Sequence, residues 1–92
     1  MDDTLIYERN NIMTKEYKSI PVSVLDLVAV REGSTHKEAI GDMVNIAQHT
    51  EKLGYLRYWL TEHHNMPTVI SSATSILIGH VLENTQSIRV GS

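Results

Sequence analysis

The run from Ile20 to Val30, IPVSVLDLVAV, constrains the fold more than any other stretch of the chain. It is rich in β-branched residues, Pro21 stands at its start where a strand tolerates a missing N–H, and only Ser23 and Asp26 interrupt its apolar character. A strand with one face in water alternates polar and apolar residues. A strand that is apolar on both faces belongs in a parallel sheet covered on both sides. Parallel neighbours cannot be joined by a tight turn, so each strand must be followed by a crossover long enough to hold a helix.

The following text supplies such crossovers. After the loop REGS, the segment THKEAIGDMVNIAQHTEKLGY predicts a helix over about 35–53: Thr35 and Glu38 form a T-x-x-E capping box, and Ile40, Met43, Val44 and Ala47 form an apolar stripe. Glu51 continues the spacing of that stripe, and Gly54 stands where a C′ glycine ends a helix. YLRYWLT predicts a second strand over 55–61. Beyond the loop EHHNMP, Ser71 or Ser72 is placed to cap a helix over 71–84, with Ala73, Ile76, Leu77, His80 and Val81 on one side. SIRVGS then begins a third strand over 87–92, the first strand occupying about 20–28. Residues 1–19 are polar without sustained periodicity and read as a flexible N-terminal arm.

The resulting order, β-α-β-α-β, predicts an α/β fold built from parallel βαβ units. Such units occur in doubly wound sheets and in slices of a β/α barrel. The first strand-to-helix loop, VREGST, has a single glycine and no G-x-G-x-x-G, which weighs against a dinucleotide-binding sheet. Residues 20–92 are therefore read as a partial β/α barrel.

Composition narrows the chemistry. Eight Lys and Arg against eleven Asp and Glu give a formal charge of -3, with no basic run to follow a nucleic-acid backbone. No apolar run approaches membrane-spanning length and the first residues, MDDTLIYERNN, are acidic, so a cytoplasmic chain with neither a membrane nor a nucleic-acid partner is expected. The absence of cysteine removes disulfides, thiolate metal sites and Cys nucleophiles. At 92 residues the buried core is small, which strains any function that needs a deep enclosed pocket.

In a parallel α/β sheet the ligand site gathers at the carboxyl ends of the strands. Three groups fall there: Asp26 with Leu27, then Glu62, His63 and His64, then Gly91 with Ser92. Adjacent strand residues point to opposite faces, and EHHNM lacks the helical spacing of H-E-x-x-H, so no metal site is expected from the His pair. Two readings remain for it. One imidazole serves as an acid/base group, braced by the other and by the carboxylate, or both simply hydrogen-bond the loop ahead of Pro67. His80 reads as a core or interface histidine, His36 and His49 as solvated helix positions, and Tyr58 and Trp59 most simply as core packing, the second reading being an aromatic wall for a planar ligand. Asp26, a carboxylate inside an apolar strand, needs a partner and reads as a functional edge position.

Three blocks, IPVSVLDLVAVREGST, TEKLGYLRYWLTEHHNMP and SSATSILIGHVLENTQSIRVGS, follow one another in an order that resembles the luciferase-like flavin-dependent monooxygenases, and most closely their alkanal-monooxygenase-like branch. The resemblance covers Ile20 to Ser92. It implies the first part of a TIM-type barrel that binds reduced FMN, or in relatives a deazaflavin, at the carboxyl ends of the strands, and acts on a small-molecule substrate. It further implies that His63 assists proton transfer, with Glu62 and His64 as supporting residues. Asp26 and Leu27 would line the flavin side of the pocket, with Gly91 and Ser92 near it at the third strand's end. A complete barrel of this type needs about 250 residues. The chain is accordingly expected to be incomplete for catalysis alone, and to form a homo-oligomer or pair with a complementary barrel fragment. The competing expectation is a non-catalytic, self-associating βαβαβ module.

Overall fold

A computed structural model describes residues 20–92, and the arm expected over 1–19 lies outside them. The elements are β1 (Ser23–Asp26), α1 (His36–Lys52), β2 (Arg57–Leu60), α2 (Thr74–Glu83) and β3 (Arg89–Gly91). The strands form one parallel sheet in the order β1-β2-β3, with Ser23 opposite Arg57 and Arg57 opposite Arg89. This is the βαβαβ arrangement that the alternation of strand and crossover text requires.

The strands are shorter than their apolar text. β1 stops at Asp26 because the chain bends there: Asp26 Oδ1 accepts the Val28 N–H at 2.9 Å, and Val28 takes φ 53. A left-handed conformation is costly for a β-branched side chain. Val28 holds it because its side chain is buried in the core and its carbonyl accepts the Ile70 N–H at 3.1 Å.

Helix α1 begins as its sequence dictates, with the Thr35 hydroxyl accepting the Glu38 N–H at 3.1 Å. The expected capping box differs in its return bond, since the Glu38 carboxylate accepts the Ser34 hydroxyl. Gly54, at φ 85, turns the chain out of the helix and donates its N–H to the Glu51 carbonyl at 3.1 Å. Met43 and Ala47 are buried and Ile40 and Val44 pack beside them, so the apolar stripe faces the sheet.

Helix α2 departs further from expectation. Its N-cap is Ala73, with no side-chain cap, and neither Ser71 nor Ser72 serves that purpose. Thr74, Leu77 and Val81 form the buried side, while Ile76 is 71% exposed and His80 is exposed as well. His80 is thus not a core histidine. Helix α2 turns its 74/77/81 face inward, a rotation of one position from the stripe read off the sequence.

Alternation along the strands divides the sheet into two faces. Val24, Tyr58, Leu60 and Val90 meet the helices and form the core with Met43, Ala47, Leu77, Val81 and Ile88. The opposite face, which neither helix covers, carries Leu25 at 63% exposure and Trp59 at 37% exposure. Trp59 is therefore not core packing, unlike its fully buried neighbour Tyr58. Glu51 closes the structure at the other end: its Oε2 accepts the N–H groups of Gln86, Ser87 and Ile88 at 2.9, 2.6 and 2.8 Å, tying the last turn of α1 to the start of β3. Those backbone donors, Ser87 foremost, hold the Glu51 pKa below the ordinary glutamate value.

Candidate active site at the carboxyl edge of β1 and β2

Beyond Leu60 the ladder continues for one more bond, from the Thr61 N–H to the Asp26 carbonyl at 3.1 Å, and the chain then leaves the sheet. Asn65 takes φ 57, a conformation its short amide side chain tolerates better than most. Pro67 occupies the second position of a tight turn in which the Val69 N–H donates to the Met66 carbonyl at 3.2 Å. The returning strand of the loop pairs with the segment after β1. The Val30 N–H donates to the Thr68 carbonyl at 2.8 Å, and Ala29 bridges Val69 in antiparallel register. At the base of the loop the His63 N–H donates to the Ser71 carbonyl at 3.1 Å. Both the loop's base and its returning limb are thus anchored to backbone, which makes its side chains a defined site.

Two side-chain groups stand there. In the first, His63 Nδ1 lies 2.9 Å from Thr61 Oγ1, Thr61 Oγ1 lies 3.1 Å from Ser71 Oγ, and the Ser71 hydroxyl donates to the Leu27 carbonyl at 3.2 Å. Ser71 is fully buried and His63 half-buried. In the second, His64 Nε2 lies 3.1 Å from Glu62 Oε2, and the Thr74 hydroxyl donates to Glu62 Oε1 at 3.0 Å. The bond from His64, followed by that from Thr74, lowers the Glu62 pKa. This pair is exposed and fastens the loop to the first turn of α2. The adjacent imidazoles therefore engage different partners. Among the described residues no three His, Asp or Glu side chains converge on a point where a cation could sit.

Asp26 stands elsewhere. It lies on the helix-packed face, where Oδ2 accepts the Tyr58 hydroxyl and Oδ1 holds the Val28 turn. Burial, then the hydrogen bond to Asp26 and its charge, raise the Tyr58 pKa far above the ordinary phenol value, so Tyr58 acts as a neutral donor. Leu27 leaves its side chain exposed and contributes its carbonyl to the His63 group. Gly91 ends β3 beneath Trp59: a Cβ there would meet Trp59 Cζ3 at 2.8 Å, so the missing side chain lets the indole lie against the strand. Ser92 follows it, exposed. A shallow hollow of about 270 Å³ lined by Arg57, Trp59, Arg89, Val90 and Gly91 opens on the same face. Arg57 and Arg89 begin their strands, so it extends toward the amino ends, away from His63.

The site thus unites Leu27, Thr61, His63 and Ser71, with Glu62 and His64 beside them. Thr61 and Ser71 escape a reading of the sequence alone. Thr61 has a faint signal, since residues two apart at a strand end share a side. Ser71 has none, because nothing in local spacing relates it to Leu27.

A family profile described as luciferase-like monooxygenase matches residues 20–92. The chain is 48% identical over 75 residues to a luciferase-like monooxygenase of Escherichia coli K12, an alignment that covers 82% of this chain and 22% of that protein. It is 37% identical over 73 residues to the N-acetyl-S-alkylcysteine monooxygenase of Bacillus subtilis, covering 79% of this chain and again 22% of the relative. The crystal structure of apo-MsnO8 superposes with a TM-score of 0.75 at 34% identity, over 79% of this chain and 22% of that one. The chain thus spans about 22% of the length of the curated relatives it matches. With a profile match across all the described residues and a parallel βαβαβ unit that is the first part of a TIM-type barrel, the chain belongs to the luciferase-like monooxygenase family.

Proposed function

We propose that residues 20–92 supply one wall of a flavin-dependent monooxygenase site, in which His63 transfers protons to and from a small-molecule substrate or the reacting centre. Glu62 and His64 brace the loop beside it. The observation that carries this reading is the placing of His63: half-buried at the carboxyl edge of β2, with Nδ1 already bonded to Thr61, it leaves Nε2 as its reacting nitrogen. Proton transfer by an imidazole so oriented contributes about a hundredfold or more to a rate.

The residues present fit a flavin. The uncovered face offers Leu25, Trp59 and the side-chain-free edge of Gly91, a flat and largely apolar surface for a planar ring system. Leu27 and Ser92 border that surface at the strand ends. Asp26, turned toward the helices and bonded to Tyr58, supports the edge from behind. Bound there, reduced FMN, or a deazaflavin in its place, supplies oxygen activation or hydride transfer. The protein's part is to orient it, to shield it from water and to position His63.

Leu25 and Trp59 need cover, since an apolar sheet face left in water invites association. In this reading the cover comes from further βα units of the longer family fold. A chimera tests it: residues 20–92 replace the matched segment of the E. coli relative. The chimera is expected to retain stoichiometric FMN through gel filtration, and Leu25→Glu is expected to release it. A soluble, folded chimera that takes up no flavin refutes the proposal.

A further inference from the structure

We propose that Thr61 and Ser71 are positioning residues that fix His63 in the Nδ1–H tautomer and present Nε2 as the atom that gives or takes the proton. The inference deepens the reading of His63 as a proton-transfer group and rests on it for its functional meaning.

The proton positions are set outward from the one member of the relay whose role is fixed. The Leu27 carbonyl only accepts, so the single proton of the Ser71 hydroxyl, 3.2 Å away, is committed to it. Ser71 Oγ can then only accept from Thr61 Oγ1 at 3.1 Å, so the Thr61 proton is committed to Ser71. Thr61 Oγ1 can in turn only accept from His63 Nδ1 at 2.9 Å, and the imidazole must carry its proton on that nitrogen. The reverse order fails at its far end. It would turn the Ser71 proton toward Thr61 and leave two oxygens facing each other at a fully buried residue, where water cannot replace the lost bond.

The backbone adds a second restraint on position, because the Ser71 carbonyl accepts the His63 N–H at 3.1 Å. Ser71 therefore restrains His63 twice, through the main chain directly and through Thr61 at the ring. The relay also has the same proton arrangement whether His63 is neutral or protonated, since Nδ1 donates in both states. A proton gained or lost at Nε2 then requires no rearrangement of Thr61 or Ser71.

Long-range ¹H–¹⁵N correlation spectra of the histidine-labelled chain at alkaline pH, where an ordinary imidazole is neutral, read the tautomer directly. The His63 signal is assigned by its loss in His63→Gln. The expected result is the Nδ1–H pattern in excess of about ten to one, the ratio set by one lost buried hydrogen bond. Thr61→Val is expected to shift His63 to the Nε2–H form that free imidazole side chains favour, and Thr61→Ser to restore the original pattern. Ser71→Ala, which frees the Thr61 proton, should give a mixture. A wild-type His63 found as Nε2–H overturns the proposal, and so does a folded Thr61→Val variant with an unchanged pattern. If a variant does not fold, the wild-type spectrum decides alone. The readout needs no flavin and no turnover, so it fails or succeeds separately from the proposed activity.

Discussion

Replacing Tyr58 with Phe removes one hydroxyl and nothing else from a side chain that is fully buried at the centre of the sheet. That hydroxyl donates to Asp26 Oδ2, and its other near neighbour is the Met43 carbonyl at 3.5 Å, too long to compensate. A hydrogen bond to a charged acceptor contributes roughly 1.5–3 kcal/mol to stability. Asp26 is half-buried, so water recovers part of the loss, and the lower end, about 1.5 kcal/mol, is the expected cost. In a domain of this size that lowers the melting temperature by roughly 6–12 °C. Asp26→Ala should cost more, because it strands the buried phenol and releases the Val28 turn as well. Thermal unfolding followed by circular dichroism measures both. If the pair acts as a unit, the double variant loses less than the sum of the single losses. A Tyr58→Phe variant within about 2 °C of the wild type, or fully additive losses, would refute the assignment of Asp26 as the anchor of β1 against β2.

Two other outcomes follow from the same geometry. Glu51 has a lowered pKa in the folded chain, so its contribution is present above the unfolded value and is lost as pH falls through the folded one. Glu51→Gln should therefore melt earlier than wild type near neutral pH, with the difference closing in acid; a difference that persists at pH 3 contradicts the clasp on β3. Gly91→Ala places a Cβ 2.8 Å from the Trp59 ring, which is free to swing outward, so stability should fall by less than about 1 kcal/mol while the emission of this sole tryptophan shifts to the red. An unshifted spectrum would show that Trp59 does not lie on β3.

Most of the architecture was legible because it depends on patterns that few residues carry. The apolar run around Val24 and Leu25, the Thr35 cap and the glycine after α1 are enough to indicate element order and a parallel sheet. What the text of the chain hid was facing. Trp59 and Tyr58 are equally plausible core residues in sequence, and only the pairing of three strands shows that Tyr58 meets the helices while Trp59 stands on the uncovered face. Asp26 follows the same rule. Its odd carboxylate was visible in an apolar strand, but its partner is 32 residues away, and the bond to Tyr58 gives it a structural task on the helix side. The EHHNMP loop was legible as a site by its chemistry, yet Ser71 looked like a helix cap because capping is a local signal. The bond it makes to the Leu27 carbonyl is a long-range one.

His63, and not its neighbour His64, is the proposed proton-transfer group. The most direct measurement compares His63→Gln and His64→Gln in the chimera with the E. coli relative, each loaded with reduced FMN and followed by substrate-coupled oxygen consumption. For His63→Gln a loss of about a hundredfold or more is expected. For His64→Gln, which only loosens the exposed pair with Glu62, the expected loss is less than about tenfold. Equal losses in the two variants, or a His63→Gln enzyme that keeps its rate with flavin still bound, would contradict it.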